Sequence, residues 1–298
     1  MEAIRTQGLC KTYGQARGVT SLNLTVGEGE FFGYIGPNGA GKSTTIRLLL
    51  GLIRPTAGRA EVFGLDVLRE REQILAQVGY LPSESSFYHG MRVGEVLKLS
   101  ASLRGRECSA EAARLCQRLQ LDMARKVDEL SFGNRKKVGI VCALQAMPRL
   151  LILDEPTSGL DPLMQHAFFD ILRERSQAGA TIFLSSHVLS EIQRHCDRAA
   201  IIRQGQIIAC DRVEALARTN AKRVTLQGEA ELSHLAGVRD LRQSAQGLSF
   251  LYSGDMQALL RTLSAGRVQD VSMTEPDLEE VFLHYYEKEA EGNGTLQA

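Results

Sequence analysis

The chain has 298 residues, with 35 lysines and arginines against 35 aspartates and glutamates. That length can bury a large core and points to two domains, while the missing basic excess argues against nucleic acid as a partner held by phosphate neutralisation. No apolar run approaches the roughly 18 residues of a membrane span, the best being Ile46–Ile53, broken by Arg47 and Gly51.

The amino-terminal segment lacks the apolar stretch and small-residue cleavage site of a secretory signal, so a cytoplasmic location is expected. Three short β-like runs follow in order, Ala3–Leu9, Ser21–Val26 and Glu30–Ile35, separated by glycine turns. The third opens into Gly36-Pro37-Asn38-Gly39-Ala40-Gly41-Lys42-Ser43-Thr44 and then a helical pattern, Thr45–Ile53. This is a complete G-x-x-x-x-G-K-[ST] phosphate loop in the strand-loop-helix context it requires, which outweighs a glycine-rich turn with a chance lysine. Glycines at 36, 39 and 41 let backbone N–H groups converge on phosphate oxygens. Lys42 can reach the β- and γ-phosphates, Ser43 can ligate Mg²⁺, and the positive end of the following helix faces the same anion.

Residues 37–82 read as mixed α/β. From Val93 the period becomes helical, with Val93, Val96, Leu97, Ser100 and Leu103, then Ala112, Leu115, Cys116 and Leu119, giving a helical insert over about 84–133. Near its end stands Leu130-Ser131-Phe132-Gly133-Asn134, ahead of a helical run, Arg135–Met147. Ser131 can cap that helix and present its amides to an anion, although a plain cap explains this segment alone equally well.

Leu150–Asp154 and Thr181–Ser185 are compact apolar runs of the kind that form buried parallel strands. Ligands collect at the carboxyl ends of such strands, which brings Asp154 and Glu155 to the phosphate loop. There Asp154 can hold Mg²⁺ through water and Glu155 can polarise an attacking water. His187 leaves its strand at the same edge, where it can contact the γ-phosphate and orient that water; the other five histidines read as structural surface residues. The six cysteines, Cys10, Cys108, Cys116, Cys142, Cys196 and Cys210, show no metal spacing and are expected to be buried small apolar side chains.

Composition changes near Leu216–Arg223. Beyond it, strands are expected at Arg223–Leu226, Leu248–Tyr252 and Val268–Met273, and helices at Asp255–Leu263 and Pro276–Tyr286. The expected organisation is an α/β ATP-binding domain over 1–217 and a small α+β accessory or regulatory domain over 218–298.

The ordered series of phosphate loop, LSFGN, LLILDEPTSGLDP and LSSH resembles the nucleotide-binding subunits of ATP-binding cassette (ABC) transporters across residues 1 to about 217. The resemblance implies a P-loop NTPase core with a helical insert, and Mg²⁺-dependent ATP hydrolysis coupled to transport. It makes Leu130–Asn134 the family signature, Ser158–Asp161 the loop that crosses to a partner subunit, and Tyr13 the aromatic that stacks on adenine; from the residues alone, Tyr13 reads as a packing residue. The signature departs from the LSGGQ consensus at Phe132 and Asn134 but keeps the phosphate-contacting Ser131 and Gly133. After Gly79-Tyr80-Leu81-Pro82 the family carries a glutamine that touches Mg²⁺ and the attacking water, whereas this chain has Ser83 and Glu84. The string Glu275–Leu283 is similar to the end of ATPases serving ABC-2 exporters, and reads as a proline-started helix with Leu278, Val281, Phe282 and Tyr285 on one face. That face packs on its own domain or serves a dimer or regulatory contact.

By the same resemblance two subunits pair head to tail, as a homodimer or with a second ATPase subunit. Each ATP is then held by Gly36–Thr44 of one chain and capped by Ser131 and Gly133 of the other, with Asp161 in the crossing loop. A separate ABC-2-like membrane permease is implied, since this chain has no span of its own, and it places the chain peripherally on the cytoplasmic face of the inner or plasma membrane. The helical insert and residues 83–91 are the expected contact, with Phe87 and Tyr88 as anchors or as part of a solvated loop. Two alternatives stay open: a soluble ABC ATPase of DNA maintenance or translation, and an ATP-dependent sensor or assembly module. The first usually carries coiled-coil arms, zinc sites or two cassettes, none of which occurs here. Ser83 favours the second, and Glu155 with His187 opposes it.

Overall fold

A computed structural model describes residues 1–14, 16–217, 222–244 and 247–274. Two compact units divide the chain, Met1–Arg212 and Val213–Ala298, so the division falls just ahead of the compositional break.

In the first unit, β1 (Glu2–Tyr13) and β2 (Ala16–Gly27) form an antiparallel pair, followed by β3 (Phe31–Ile35), α1 (Lys42–Leu49), β4 (Ala57–Val62) and β5 (Leu65–Asp66). Next come α2 (Arg71–Gln77), β6 (Val78–Leu81), α3 (Val93–Leu103), α4 (Ser109–Arg118), α5 (Phe132–Leu144) and β7 (Leu150–Asp154). The unit ends with α6 (Pro162–Gln177), β8 (Thr181–Ser186), α7 (Leu189–His195), β9 (Arg198–Arg203) and β10 (Gln206–Arg212). One sheet has the order β2-β1-β4-β5 and is antiparallel; the other has the order β10-β9-β3-β8-β7-β6 and is parallel except at β10.

Every residue of β3, β7 and β8 is buried, which is why these strands carry unbroken apolar runs instead of alternation. Phe32 stacks on Phe183 with centroids 5.9 Å apart, and Tyr34 lies 5.2 Å from the same ring. The Tyr34 hydroxyl is 3.1 Å from Thr45 Oγ1, tying the strand before the phosphate loop to the helix after it. Burial pushes the Tyr34 phenol well above its ordinary range. The register pairs Ile35 with Ser186, Asp154 with Ser185, and Leu81 with Leu153. Four strand ends therefore stand side by side, each releasing one of the chemically distinctive loops.

Helix α1 stops short of the expected Ile53. Gly51, at φ 61°, donates to Leu48 O at 3.0 Å while Leu52 donates to Arg47 O at 2.9 Å, the paired closure that ends a helix on a left-handed glycine. Helix α5 begins three residues ahead of the expected Arg135, because Ser131 accepts from Asn134 N and caps it there. In the insert, α3 buries Val93, Val96 and Leu97 and α4 buries Ala112, Leu115 and Cys116, and both helices pack on α5. Across it, Glu111 of α4 pairs with the buried Arg175 of α6.

The cysteine expectation holds for Cys108, Cys116 and Cys196; Cys10 and Cys142 are only half-buried, and Cys210 is exposed because β10 is the outer strand of its sheet. His195 also differs from a surface residue: its ring stacks on Phe169 at 3.8 Å.

The second unit comprises α8 (Val213–Ala217), β11 (Lys222–Glu229), β12 (Val238–Ser244), β13 (Gly247–Tyr252), α9 (Met256–Ala265) and β14 (Arg267–Thr274). Its sheet is antiparallel with order β12-β13-β11-β14, and Val224, Leu226, Phe250 and Tyr252 pack with Leu259 and Leu263 of α9. Asp255 caps α9 by accepting from Gln257 N and Ala258 N, both at 3.2 Å. The helix expected at Pro276–Tyr286 lies outside the described residues. Among the described residues no helix is long and apolar enough to cross a membrane.

Candidate functional site

The phosphate loop leaves β3 and turns into α1 through Gly41, at φ 109°. A Cβ there would stand a tight 3.0 Å from Gly18 O, and the positive φ itself favours glycine at this position between β2 and the β9–β10 turn. That turn also binds the loop directly, since Gly205 N donates to Ala40 O at 2.8 Å. Lys42, 6% exposed, extends back along the loop; its Nζ donates to Gly36 O at 2.6 Å and to Pro37 O at 3.3 Å.

Two carboxylates meet this loop from the end of β7. Ser43 Oγ donates to Asp154 Oδ2 at 2.8 Å and Ser185 Oγ donates to Asp154 Oδ1 at 3.1 Å, which fixes the plane of the buried carboxylate. Glu155 then takes up φ 48°, a left-handed conformation costing about 1–2 kcal/mol in a residue with a Cβ. Its N–H donates to Ser185 O at 3.0 Å, and this turn directs the side chain into the site. Glu155 Oε1 lies 3.2 Å from Lys42 Nζ, and Oε2 lies 2.6 Å from His187 Nδ1. The buried Oε1 makes no hydrogen bond, leaving acceptor capacity beside the lysine.

Between these groups is a cavity of about 410 Å³, lined by Pro37, Asn38, Gly39, Lys42, Ser43 and Thr44 of the loop, by Gly41 and Gly18, and by Ser83 and Glu155. Gly36 and Ala40 are buried behind it. Backbone amides at a helix start, an ammonium, a hydroxyl and two carboxylates suit a polyphosphate accompanied by a hard divalent cation. Among the described residues no cluster of three or more His, Cys, Asp or Glu side chains could hold a metal alone. That donor set fits Mg²⁺, which takes one or two protein ligands and relies on phosphate oxygens for others.

Asp154 and His187 do not line this cavity themselves but bond to Ser43 and Glu155, which do; Tyr13, Ser131, Gly133 and Asp161 do not line it either. Tyr13 is 44% exposed at the end of β1, with Lys11 Nζ 5.3 Å from its ring centre. Ser131 is exposed at the start of α5. A Cβ on Gly133 would stand 2.3 Å from Gly159 O, and the Phe132 ring covers the other side of Gly159, so the signature and the segment Ser158–Asp161 are packed together in one chain. Asp161 accepts from Met164 N at 3.0 Å and caps α6, whose first residue is Pro162. Phe87 is half-buried and Tyr88 is 74% exposed.

Two supporting residues escape a motif-based reading. Glu191 is buried on α7 and accepts from Ser186 Oγ at 2.8 Å, while Ser186 Oγ accepts from Val188 N at 2.9 Å, bracing the chain on both sides of His187. Burial raises the Glu191 carboxyl above its usual range, against the hydrogen bonds from Thr157 and Ser186. Lys136 is buried on α5 and reaches the loop after β6; burial pushes its ammonium down to about 8, with Asp154, Glu155 and Glu84 opposing that shift. Their types alone, a glutamate four residues after a histidine and the middle residue of the basic run Arg135-Lys136-Lys137, look like ordinary solvated helix positions.

The sheet order and this loop cluster define a cassette-type P-loop ATPase. The family model described as ABC transporter matches residues 19–158. The chain is 33% identical to the bacitracin transport ATP-binding protein BcrA of Bacillus licheniformis, over 98% of this chain and 98% of that protein. It is 34% identical to the daunorubicin/doxorubicin resistance ATP-binding protein DrrA of Streptomyces peucetius, over 99% and 96% respectively. A solved ATP-binding subunit of an ABC transporter superposes with a TM-score of 0.68 at 32% identity, over 72% of this chain and 92% of that one. The dimeric bacterial cassette MJ0796 shares the fold, with a TM-score of 0.65 at 21% identity over 70% of this chain and 98% of that one. The chain belongs to the ATP-binding proteins of ABC transporters. It is a transport ATPase.

Proposed function

We propose that this ATPase pairs head to tail on ATP and drives a separate ABC-2-like permease from the cytoplasmic face of the inner or plasma membrane. The observation that carries the reading is the split arrangement: Lys42, Ser43 and Glu155 line one cavity, with Asp154 hydrogen-bonded to Ser43 and His187 to Glu155, whereas Ser131 and Gly133 lie outside it and neither is bonded to those residues. A capped helix start that is exposed and leaves its own cavity unlined is suited to closing over the phosphates of a second subunit. Gly159, packed against Gly133, carries the Ser158–Asp161 loop to the same junction.

In this reading the amides of Gly36–Thr44 and the Lys42 ammonium hold the phosphates, and Tyr13 stacks on the base. Ser43, and Asp154 through water, would hold Mg²⁺, which would supply positive charge against the phosphate oxygens. Glu155 polarises the attacking water. His187 holds the Glu155 carboxylate through Nδ1, so Nε2 is the nitrogen that would meet the γ-phosphate. Because both faces of the pair grip the same nucleotide, ATP favours closure and hydrolysis withdraws that preference.

The named roles of BcrA in bacitracin transport and DrrA in daunorubicin/doxorubicin resistance support an export role here. Cargo choice then belongs to the permease, and the exposed Tyr88 with its neighbours would meet it. A tagged Glu155→Gln chain pulled from detergent-solubilised membranes with ATP should bring a polytopic membrane protein with it, and less of it without ATP. Recovery of soluble partners alone, with sound extraction controls, would favour a soluble ATPase.

A further inference from the structure

We propose that Lys136 is a positioning residue of the hydrolytic site, latching the loop Pro82–Ser83 to the signature helix and supporting through its backbone a loop that has serine in place of the family's glutamine. The proposal rests on the reading of Glu155 as the group that activates water.

Lys136 is 2% exposed, and its Nζ donates to Pro82 O at 3.1 Å and to Ser83 O at 2.8 Å. Those carbonyls lie just beyond the carboxyl end of β6, and Ser83 lines the cavity that Lys42 and Glu155 line. One turn along α5, a Cβ on Gly139 would stand 2.7 Å from Ser85 Oγ and 2.9 Å from Leu81 Cδ1. The same face of α5 is therefore shaped to receive this loop at two successive positions. Ser83 and Lys136 also line a second cavity, of about 230 Å³, together with Phe132 of the signature.

A buried ammonium is costly unless its donors and charge are both met. Two of its three donors go to the loop carbonyls, and the negative charge of Asp154, Glu155 and Glu84 offsets part of the burial cost. A lysine kept only for packing could be exchanged for an apolar side chain. Here the ammonium joins the element that carries Ser131 to the loop beside the chain's own nucleotide cavity, so displacement of one carries the other.

The test uses the full-length chain and compares the parent with Lys136→Met, Lys136→Gln, Ser83→Gln and the Ser83→Gln/Lys136→Met pair. Hydrogen–deuterium exchange should show faster exchange across residues 81–88 in Lys136→Met. Its kcat should fall about tenfold with KM for ATP changing less than about twofold, the signature of lost positioning. Lys136→Gln, which keeps N–H donors, should lose less and covers the case in which Met prevents folding. Ser83→Gln should raise kcat by a larger factor in the Lys136→Met chain than in the parent, a coupling that independent sites would not show. Parental exchange and kcat in Lys136→Met, or an equal factor from Ser83→Gln in both backgrounds, would overturn the latch. Glu155→Gln is assayed alongside: turnover insensitive to it defeats the hydrolytic reading, whereas normal sensitivity with parental behaviour of Lys136→Met defeats only the latch.

Discussion

At Glu155 one carboxylate meets two groups of opposite purpose. Oε1 stands 3.2 Å from Lys42 Nζ and Oε2 stands 2.6 Å from His187 Nδ1. In the proposed reading the Glu155 carboxylate competes with phosphate for the lysine while holding the histidine in place. Glu155→Gln removes the competing charge and the proton acceptor together. It should bind ATP at least as tightly as the parent, measured with a fluorescent analogue, while hydrolysis falls by about 10²–10⁴-fold. Parental turnover in that variant would refute the assignment. The left-handed backbone at this position is not something an acidic pair after an apolar strand announces. The need to have Asp154 face Ser43 and Glu155 face Lys42 from adjacent positions explains it, because successive strand residues otherwise point to opposite faces.

Among the elements, the parallel sheet was the most legible. Unbroken apolar runs such as Leu150–Asp154 have few other uses at that length, and the chemistry follows each run directly. The second unit was harder. β12, Val238–Ser244, carries Arg239, Asp240 and Arg242 and lacks the alternation that marks a half-buried strand, since its pairing comes from β13. Helix ends shifted by a turn wherever a cap or a left-handed glycine decided them, as at Ser131 and Gly51. The contact between α6 and α7 was invisible for another reason: it depends on His195 meeting Phe169 in space. Burial, Arg173 and Arg194 push His195 down from 6.5 to about 4, with Asp170 opposing and His166 adding to the shift. Between those values the unfolded chain takes up a proton that the folded chain refuses, so stability falls as pH drops from 6.5 towards 4 and levels off below. The melting temperature of His195→Phe, which keeps a stacked ring, should therefore fall less than the parent's on acidification from pH 6.5 to 5. Parallel curves for the two chains would assign the acid sensitivity elsewhere.

For the whole molecule, most of the residues gathered at the candidate site could be read from four short motifs, because phosphate chemistry demands particular residue types at a strand end. Their proposed division between two subunits could not be read from spacing alone; it came from the resemblance, and the separation of Ser131 and Gly133 from the Lys42 cavity supports it. The central claim is that a working site takes its phosphate loop from one chain and its signature from another. The most direct test mixes two dead chains. Lys42→Ala disables the phosphate loop and leaves the signature intact; Ser131→Arg does the reverse. Each alone should be nearly inactive, and mixing them should restore ATP hydrolysis, because one of the two sites in a mixed pair receives an intact loop and an intact signature. A mixture that stays inactive while forming mixed dimers with ATP, or a Ser131→Arg chain that hydrolyses ATP at the parental rate, would contradict the account.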